Sequence, residues 1–462
     1  MTYDNMLPCM GEDPRQNEGI RKSLQKAWTF ALCTLQGTRV LPIDKSPEVS
    51  ACLLRQTGNL MSSSLFASAE LAPADPILGV NEAFAADTRP GKVNLGVGVY
   101  LGEDGKIPLL QCIRSAEAAR LQNPSARGYL PIDGIAAYDQ AVQSLLFGAD
   151  SALLRAGRLV TAQALGGTGA LCLGADLLKR LQPDAQVLIS DPSWENHRAL
   201  FEASGFAVST YPYYDATTHG LNFPGMLAGL AAAPVGSIVV LHACCHNPTG
   251  VDPTPQQWDG IVAAVKARGL VPFLDLAYQG FAEGLEADGA AVRAFAASGM
   301  SFVVASSFSK SFSLYGERVG AVTFVTADAE ESKRVLSQLK RVIRTNYSNP
   351  PTHGGALIAA VLGNPELRRQ WEQELDAMRL RIQDMRVSLV DLLEKKLPGV
   401  DFSHVRRQRG MFSYSGLTAT QVARLRSEFG VYALSSGRVC VAALNRKNVE
   451  AVADAIAAVV RA

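Results

Sequence analysis

The residues able to do chemistry sit in four short polar stretches, each placed where an apolar run ends. Lys310 closes Ser306-Ser307-Phe308-Ser309-Lys310, and Arg318 follows eight residues later. An isolated lysine is ordinarily a surface charge, but one withdrawn from water or set beside another cation loses proton affinity and becomes a nucleophile. Asp275 stands in Phe273-Leu274-Asp275-Leu276-Ala277-Tyr278. A carboxylate there either caps the next element or needs a buried hydrogen-bonding or cationic partner. Asn247, in His246-Asn247-Pro248-Thr249-Gly250, can cap a turn or offer its amide to a ligand oxygen. Gly166-Gly167-Thr168-Gly169 leads into a helical stretch over 170–181. Such glycines serve plain turn chemistry, and free N–H groups at a helix start also make a phosphate site.

Together the stretches hold an amine nucleophile, an acid, phosphate ligands and an oxygen-binding amide. That is the inventory pyridoxal phosphate requires: an amine for its aldehyde, a carboxylate for its ring nitrogen and a cradle for its phosphate. Competing readings lack a part. A dinucleotide fold needs GxGxxG after a strand, and Gly96-Val97-Gly98-Val99-Tyr100-Leu101 lacks the third glycine. No Lys-Ser or Lys-Thr pair has P-loop spacing. His242 and His246 bracket Cys244-Cys245, which suggests a metal. Adjacent cysteines on an extended segment face opposite ways, so no metal site is expected.

The elements that must position these residues read as α/β. Apolar runs at 186–190, 237–242, 270–274 and 302–306 look like buried strands, with helical stretches such as 170–181 and 258–268 between several of them. This alternation predicts a parallel sheet flanked by helices, with ligands at the carboxyl ends of the strands. An amphipathic helix is expected over 365–396, then a short α+β piece ending in a helix over 449–460. A second, smaller domain is expected to begin near Asp376.

With 462 residues, 48% of them apolar and a net charge of +1, the chain can bury a large core and has no basic stripe for nucleic acid. Eight scattered cysteines without a CxxC pair suit a reducing, cytoplasmic setting. No apolar stretch approaches the roughly 18 residues of a membrane span. Arg21, Lys22 and Lys26 before the apolar run 27–35 imitate a secretory signal without its cleavage site. Residues 1–60 lack periodic pattern and read as an extension of unknown role, with Met61-Ser62-Ser63-Ser64 as a candidate translation start.

Six motifs in order then resemble the class I aminotransferases that act on aspartate and aromatic amino acids. They are Asn94-Leu95-Gly96-Val97-Gly98-Val99-Tyr100, Tyr129-Leu130-Pro131-Ile132-Asp133-Gly134, Ser193-Trp194-Glu195-Asn196-His197, His246-Asn247-Pro248-Thr249-Gly250, Ser307-Phe308-Ser309-Lys310 and Ser436-Gly437-Arg438. The resemblance runs from about Pro73 to the C-terminus. It implies a fold-type-I pyridoxal-phosphate transferase: a large domain over 107–375 with a mostly parallel seven-stranded sheet, and a smaller α+β domain from 61–106 and 376–462. It further implies a homodimer with shared active sites.

Carried onto this sequence, the resemblance makes Lys310 the Schiff-base lysine and general base. Asp275 pairs with the ring nitrogen, backed by His197, while Asn247 and Tyr278 hold the phenolic oxygen and Trp194 covers the ring. Gly167, Thr168, Ser307, Ser309 and Arg318 match the phosphate ligands, and Tyr129 matches the tyrosine that reaches the phosphate in the neighbouring subunit. Arg438, near Gly98, takes the substrate α-carboxylate, where a guanidinium gives a two-pronged grip. Arg344 corresponds to the arginine that binds a second carboxylate from the other subunit. Leu101 and Ile107 and several motifs lean toward the aromatic branch; Thr168 and Asn349 lean toward the aspartate branch.

Overall fold

The computed structural model describes residues 64–71 and 76–461. The chain divides into two units, Met1–Pro73 and Ala74–Ala462. In the first, the described residues 64–71 hold a turn in which Ala67 N–H donates to Ser64 O at 2.8 Å. The suggested start at Met61 and the signal-like run lie outside the described residues.

The second unit is organised by a seven-stranded sheet. Its strands, in chain order, are β1 (Leu159–Leu165), β2 (Gln186–Asp191), β3 (Ala207–Pro212), β4 (Ile238–His242), β5 (Val271–Leu276), β6 (Phe302–Ser307) and β7 (Val319–Val325). Across the sheet the order is β1-β7-β6-β5-β4-β2-β3. All pairings are parallel except those of β7, which runs antiparallel to β1 and β6. The parallel ends therefore share one edge, and β7 begins at that edge. β4, β6 and β7 are buried along their whole length, as Val- and Ile-rich strands covered on both faces must be.

The expected strands are all present. β1 and β7 were less visible, because Thr161, Gln163 and Thr323 interrupt their apolar pattern although all three are buried. Their polar groups are largely satisfied inside: Thr161 and Thr323 hydroxyls bond at 2.9 Å, and Gln163 Nε2 donates to Pro351 O at 2.7 Å. β3 is an edge strand with mostly exposed side chains.

Helix α1 (Gly166–Leu181) follows β1. It begins at Gly166, four residues earlier than the sequence suggests, so the glycines form its first turn rather than precede it. Gly166 has φ +70°, a conformation that favours glycine. Helices α2 (Glu195–Ala203) and α3 (Ala329–Asn346) follow β2 and β7.

Helix α4 (Pro365–Lys396) matches the expected amphipathic stretch end to end. Asn364 caps it by accepting from Glu366 N at 2.9 Å and Leu367 N at 3.1 Å, and Pro365 fits the first turn, where no N–H is needed. Trp371, Leu375, Met378, Ile382, Met385 and Leu389 form its buried stripe at helical spacing. Asp376 lies inside this unbroken helix. Two short pairings accompany α4: Val93–Asn94 runs parallel to Val431–Tyr432, and Phe412–Tyr414 runs antiparallel to Arg438–Cys440. Helix α5 (Val449–Arg461) packs along α4, with Lys396 Nζ 2.6 Å from Asp454 Oδ1.

Trp371 also ties α4 to the site. Its indole N–H donates to Ser311 O at 2.7 Å, and its ring stacks on Phe312 at 4.4 Å. The connection between β6 and β7, which carries Lys310, is thereby held against a long rigid element.

Candidate active site

At the common strand edge a cavity is lined by Gly167, Thr168, Leu171, Trp194, His242, Asn247, Asp275, Ala277, Tyr278, Ser307, Ser309, Lys310 and Arg318. Ten of the residues expected to contact the cofactor thus meet in one place: β1 ends into Gly167 and Thr168, β2 leads to Trp194, β4 to Asn247, β5 to Asp275 and Tyr278, β6 to Ser307, Ser309 and Lys310, and Arg318 directly precedes β7.

The Lys310 ammonium nitrogen lies 5.0 Å from the centre of the Tyr278 ring. Burial lowers its pKa to about 8, with Asp275 pulling the other way and Arg318 and Arg438 adding to the drop. Lys310 is therefore a far better nucleophile near neutrality than an exposed lysine.

Asp275 is buried and held by His197, whose Nε2 is 2.9 Å from Asp275 Oδ2. His197 Nδ1 lies 2.9 Å from Ser193 Oγ. With the serine hydroxyl donating to Nδ1, Nε2–H donates to the carboxylate and the ring orientation is fixed. Burial would raise the Asp275 pKa, but the hydrogen bond from His197, helped by the Lys310 ammonium, prevails and holds it below the usual carboxylate value. A buried anion is thus ready for a cationic partner.

Two arginines offer the reverse. Arg318 Nη1 donates to Tyr315 O at 3.0 Å and to Ser309 Oγ at 3.4 Å. Its guanidinium lies against the start of α1, where a Cβ on Gly166 would fall 2.4 Å from Nη2. Arg438 is 1% exposed, donates to Asn247 Oδ1 at 3.1 Å and Gly96 O at 2.7 Å, and leaves Nε without a partner. The Phe412 ring lies 4.3 Å from its guanidinium carbon, and a Cβ on Gly98 would sit 3.2 Å from that ring. The hydrogen bonds of both arginines end on neutral oxygens. Arg438 is a buried cation and Arg318 an exposed one at the cavity wall, each prepared for an anion.

Tyr129 and Arg344 are not part of this cavity. Tyr129 is 94% exposed, and Arg344 is exposed near the end of α3, donating to Ser348 Oγ.

Two features escaped the sequence reading. His242 lines the cavity; burial, then His246 and His197, push its pKa well down, and Nε2 has no partner among the described residues. Its position at the end of β4 was the available signal. The cysteine pair also differs from expectation. Cys245 is not extended but has φ +52°, so the side chains do not diverge: the ligand atoms of Cys244, Cys245 and Asp288 lie within 4.8 Å of one another. Asp288 spends both oxygens on the N–H groups of Gly280, Ala282 and Glu283, and burial pushes the Cys245 thiol well up. The glycine stretch at Gly96 and Gly98 opens no helix; the next begins at Gln111.

An amine, a paired carboxylate and anion-ready arginines at the carboxyl edge of a mostly parallel sheet define a transferase of the pyridoxal-phosphate fold type I. The chain belongs to the class I and II aminotransferases: the family model described as "Aminotransferase class I and II" matches residues 90–456. An aspartate aminotransferase of Pseudomonas aeruginosa is 66% identical over 393 residues, covering 85% of this chain and 99% of that protein. An aromatic-amino-acid aminotransferase of Escherichia coli is 52% identical over 396 residues, covering 86% of this chain and 100% of that protein. Among solved structures, an aromatic-amino-acid aminotransferase from Burkholderia pseudomallei, covalently bound to pyridoxal phosphate, is similar with a TM-score of 0.84 and 67% identity, covering 86% of this chain and 99% of that one.

Proposed function

We propose that this chain is a pyridoxal-phosphate-dependent aminotransferase that exchanges amino groups between aromatic or dicarboxylic L-amino acids, such as tyrosine, phenylalanine and aspartate, and 2-oxoglutarate. It works by a ping-pong cycle, as a cytoplasmic homodimer with shared active sites. The observation that carries the reading is one cavity holding both the lowered-pKa amine of Lys310 and the ionised carboxylate of Asp275, with Arg438 buried beside them without an acid.

The cavity suits the cofactor chemically. Thr168, Ser307, Ser309 and Arg318, with the first N–H groups of α1, offer donors for a phosphate at one end. Asp275 offers an acceptor for a protonated ring nitrogen, and Lys310 supplies an amine in the same cavity. Gly167 keeps the cradle open, since a Cβ there would lie 2.9 Å from Ser307 Cβ. Trp194 would cover the ring, and Asn247 and Tyr278 would hold its phenolic oxygen.

When bound, pyridoxal phosphate supplies an aldehyde carbon and a ring that withdraws electrons from the substrate Cα. The protein's residues do the rest. Arg438 grips the α-carboxylate near Gly98, and its bond to Asn247 fixes the amide orientation. Lys310 would accept the Cα proton at Nζ and return it later in the cycle. Asp275, oriented by His197 and Ser193, keeps a proton on the ring nitrogen. Arg344 takes the second carboxylate and Tyr129 the phosphate of the partner's site, a role that the exposure of both side chains in the single chain supports.

A narrower reading, aspartate alone among amino donors, is favoured by the 66% identity to an aspartate aminotransferase. The visible spectrum decides. A yellow protein whose band is bleached by L-aspartate and separately by L-phenylalanine, with no oxo acid present, has the broad specificity. Bleaching by aspartate alone selects the narrow one. A colourless protein that takes up no pyridoxal phosphate ends both.

A further inference from the structure

The two halves of the site ride on different parts of the chain. Lys310, Ser309 and Arg318 belong to the connection between β6 and β7, whereas the α-carboxylate site is formed by residues 95–101 and the strand Arg438–Cys440. Residues 95–101 are fastened mainly to C-terminal segments. Leu95 N donates to Tyr432 O at 2.7 Å, Cys440 N to Leu95 O at 2.8 Å, and Leu101 N to Ala442 O at 3.0 Å. Arg438 Nη2 donates to Gly96 O. Among the described residues, the hydrogen bond from this segment to the Lys310 connection runs from Tyr100 N–H to the Tyr315 hydroxyl oxygen at 2.9 Å.

Tyr315 faces both ways. It opens the one-turn helix Tyr315–Glu317, and its carbonyl accepts from Arg318 Nη1, so its backbone touches the phosphate-side arginine while its hydroxyl holds the carboxylate-side segment. Two residues before Tyr100, Gly98 rests on Phe412, which lies under Arg438. Movement of residues 98–100 is therefore transmitted to the guanidinium.

We propose that Tyr315 is a positioning residue whose hydroxyl sets the Arg438 carboxylate site at its working distance from Lys310. This rests on the aminotransferase reading above. Tyr315→Phe keeps the ring and removes the acceptor, leaving the Tyr100 N–H unpaired and the segment free to drift. The loss of one such bond should weaken carboxylate binding about tenfold.

The test uses the cofactor-loaded protein and maleate, a dicarboxylate with no amine to react. Calorimetric titration should show about tenfold weaker maleate binding in Tyr315→Phe. Cofactor retention on dialysis should remain as in the parent, because the lost bond does not reach the phosphate side, and the melting temperature should fall by no more than roughly a few degrees, the cost of one lost hydrogen bond in a chain of this size. In steady state, kcat/KM should fall by a similar factor for aspartate and phenylalanine, since both present an α-carboxylate. Unchanged maleate affinity, or cofactor loss in step with maleate loss, overturns the proposal. Arg438→Ala separates the two levels of inference. If it still binds maleate like the parent, the reading of Arg438 is wrong; if it loses maleate while Tyr315→Phe does not, the Tyr315 proposal alone fails.

Discussion

Replacing the lysine at the centre of the site should make the cofactor-stripped protein more stable, by an amount that depends on pH. Burial holds the Lys310 pKa at about 8 against 10.5 for a free lysine. The folded chain then binds fewer protons than the unfolded chain between these values, so stability rises with pH across that window. Below pH 8 the full penalty applies, about 3 kcal/mol at roughly 1.4 kcal/mol per tenfold; near pH 9.5 about half remains, and above pH 10.5 it is gone. Methionine carries no proton in either state. The stability advantage of Lys310→Met should therefore shrink by about 2 kcal/mol between pH 7 and pH 9.5. Packing changes introduced by the methionine do not titrate, so this double difference isolates the amine. Equilibrium urea unfolding of both proteins, followed by tryptophan fluorescence at the two pH values, measures it. An advantage of the same size at both pH values, or none at pH 7, refutes the reasoning.

Three further outcomes are expected. His197→Phe removes the hydrogen bond that holds the Asp275 carboxyl below its usual pKa; kcat should fall about tenfold to a hundredfold, more steeply toward acid pH, where the unsupported carboxyl takes up its proton. A pH–rate profile parallel to the parent's would contradict this. Gly166→Ala forces a left-handed residue whose Cβ meets Arg318 Nη2 at 2.4 Å, so the cofactor should leave about ten times faster on dialysis, as read from the visible band. Arg344→Leu should raise KM for aspartate about tenfold or more while sparing phenylalanine. Mixed dimers of Arg344→Leu and Lys310→Ala chains should regain aspartate turnover, and failure to do so would place Arg344 outside the partner's site.

What could be read in advance follows from how each residue is supported. Lys310, Asp275 and Asn247 stood out because polar side chains end apolar strands, a contrast that a sequence displays directly. Arg438 and His197 do their work through partners 191 and 78 residues away, so their roles came from resemblance to a family and not from local pattern. β1 and β7 were obscured by Thr161, Gln163 and Thr323, whose polar atoms find partners only after the strands are side by side. The turn at Cys245 was beyond sequence reasoning for a similar reason. Its left-handed backbone is stabilised by Asp252, which accepts from Cys245 N at 2.7 Å and His246 N at 2.8 Å, and nothing local to the two cysteines announces that clasp.

The reversed direction of β7 has a consequence for anyone who would rebuild the protein. Because β7 runs back beside β6, the chain returns at the strand edge where it left, and Ser307, Ser309, Lys310, Tyr315 and Arg318 all fall in that short return. A parallel strand there would have required a crossover, and Arg318 would emerge at the opposite edge of the sheet. Added residues between 307 and 318 would therefore disturb the Lys310 amine, the cavity side chains Ser309 and Arg318 and the Tyr100 contact together. The far edge, where Thr326 N donates to Arg158 O at 2.9 Å and α3 begins, is the place to graft a tag, a hinge or new chain termini without touching the chemistry.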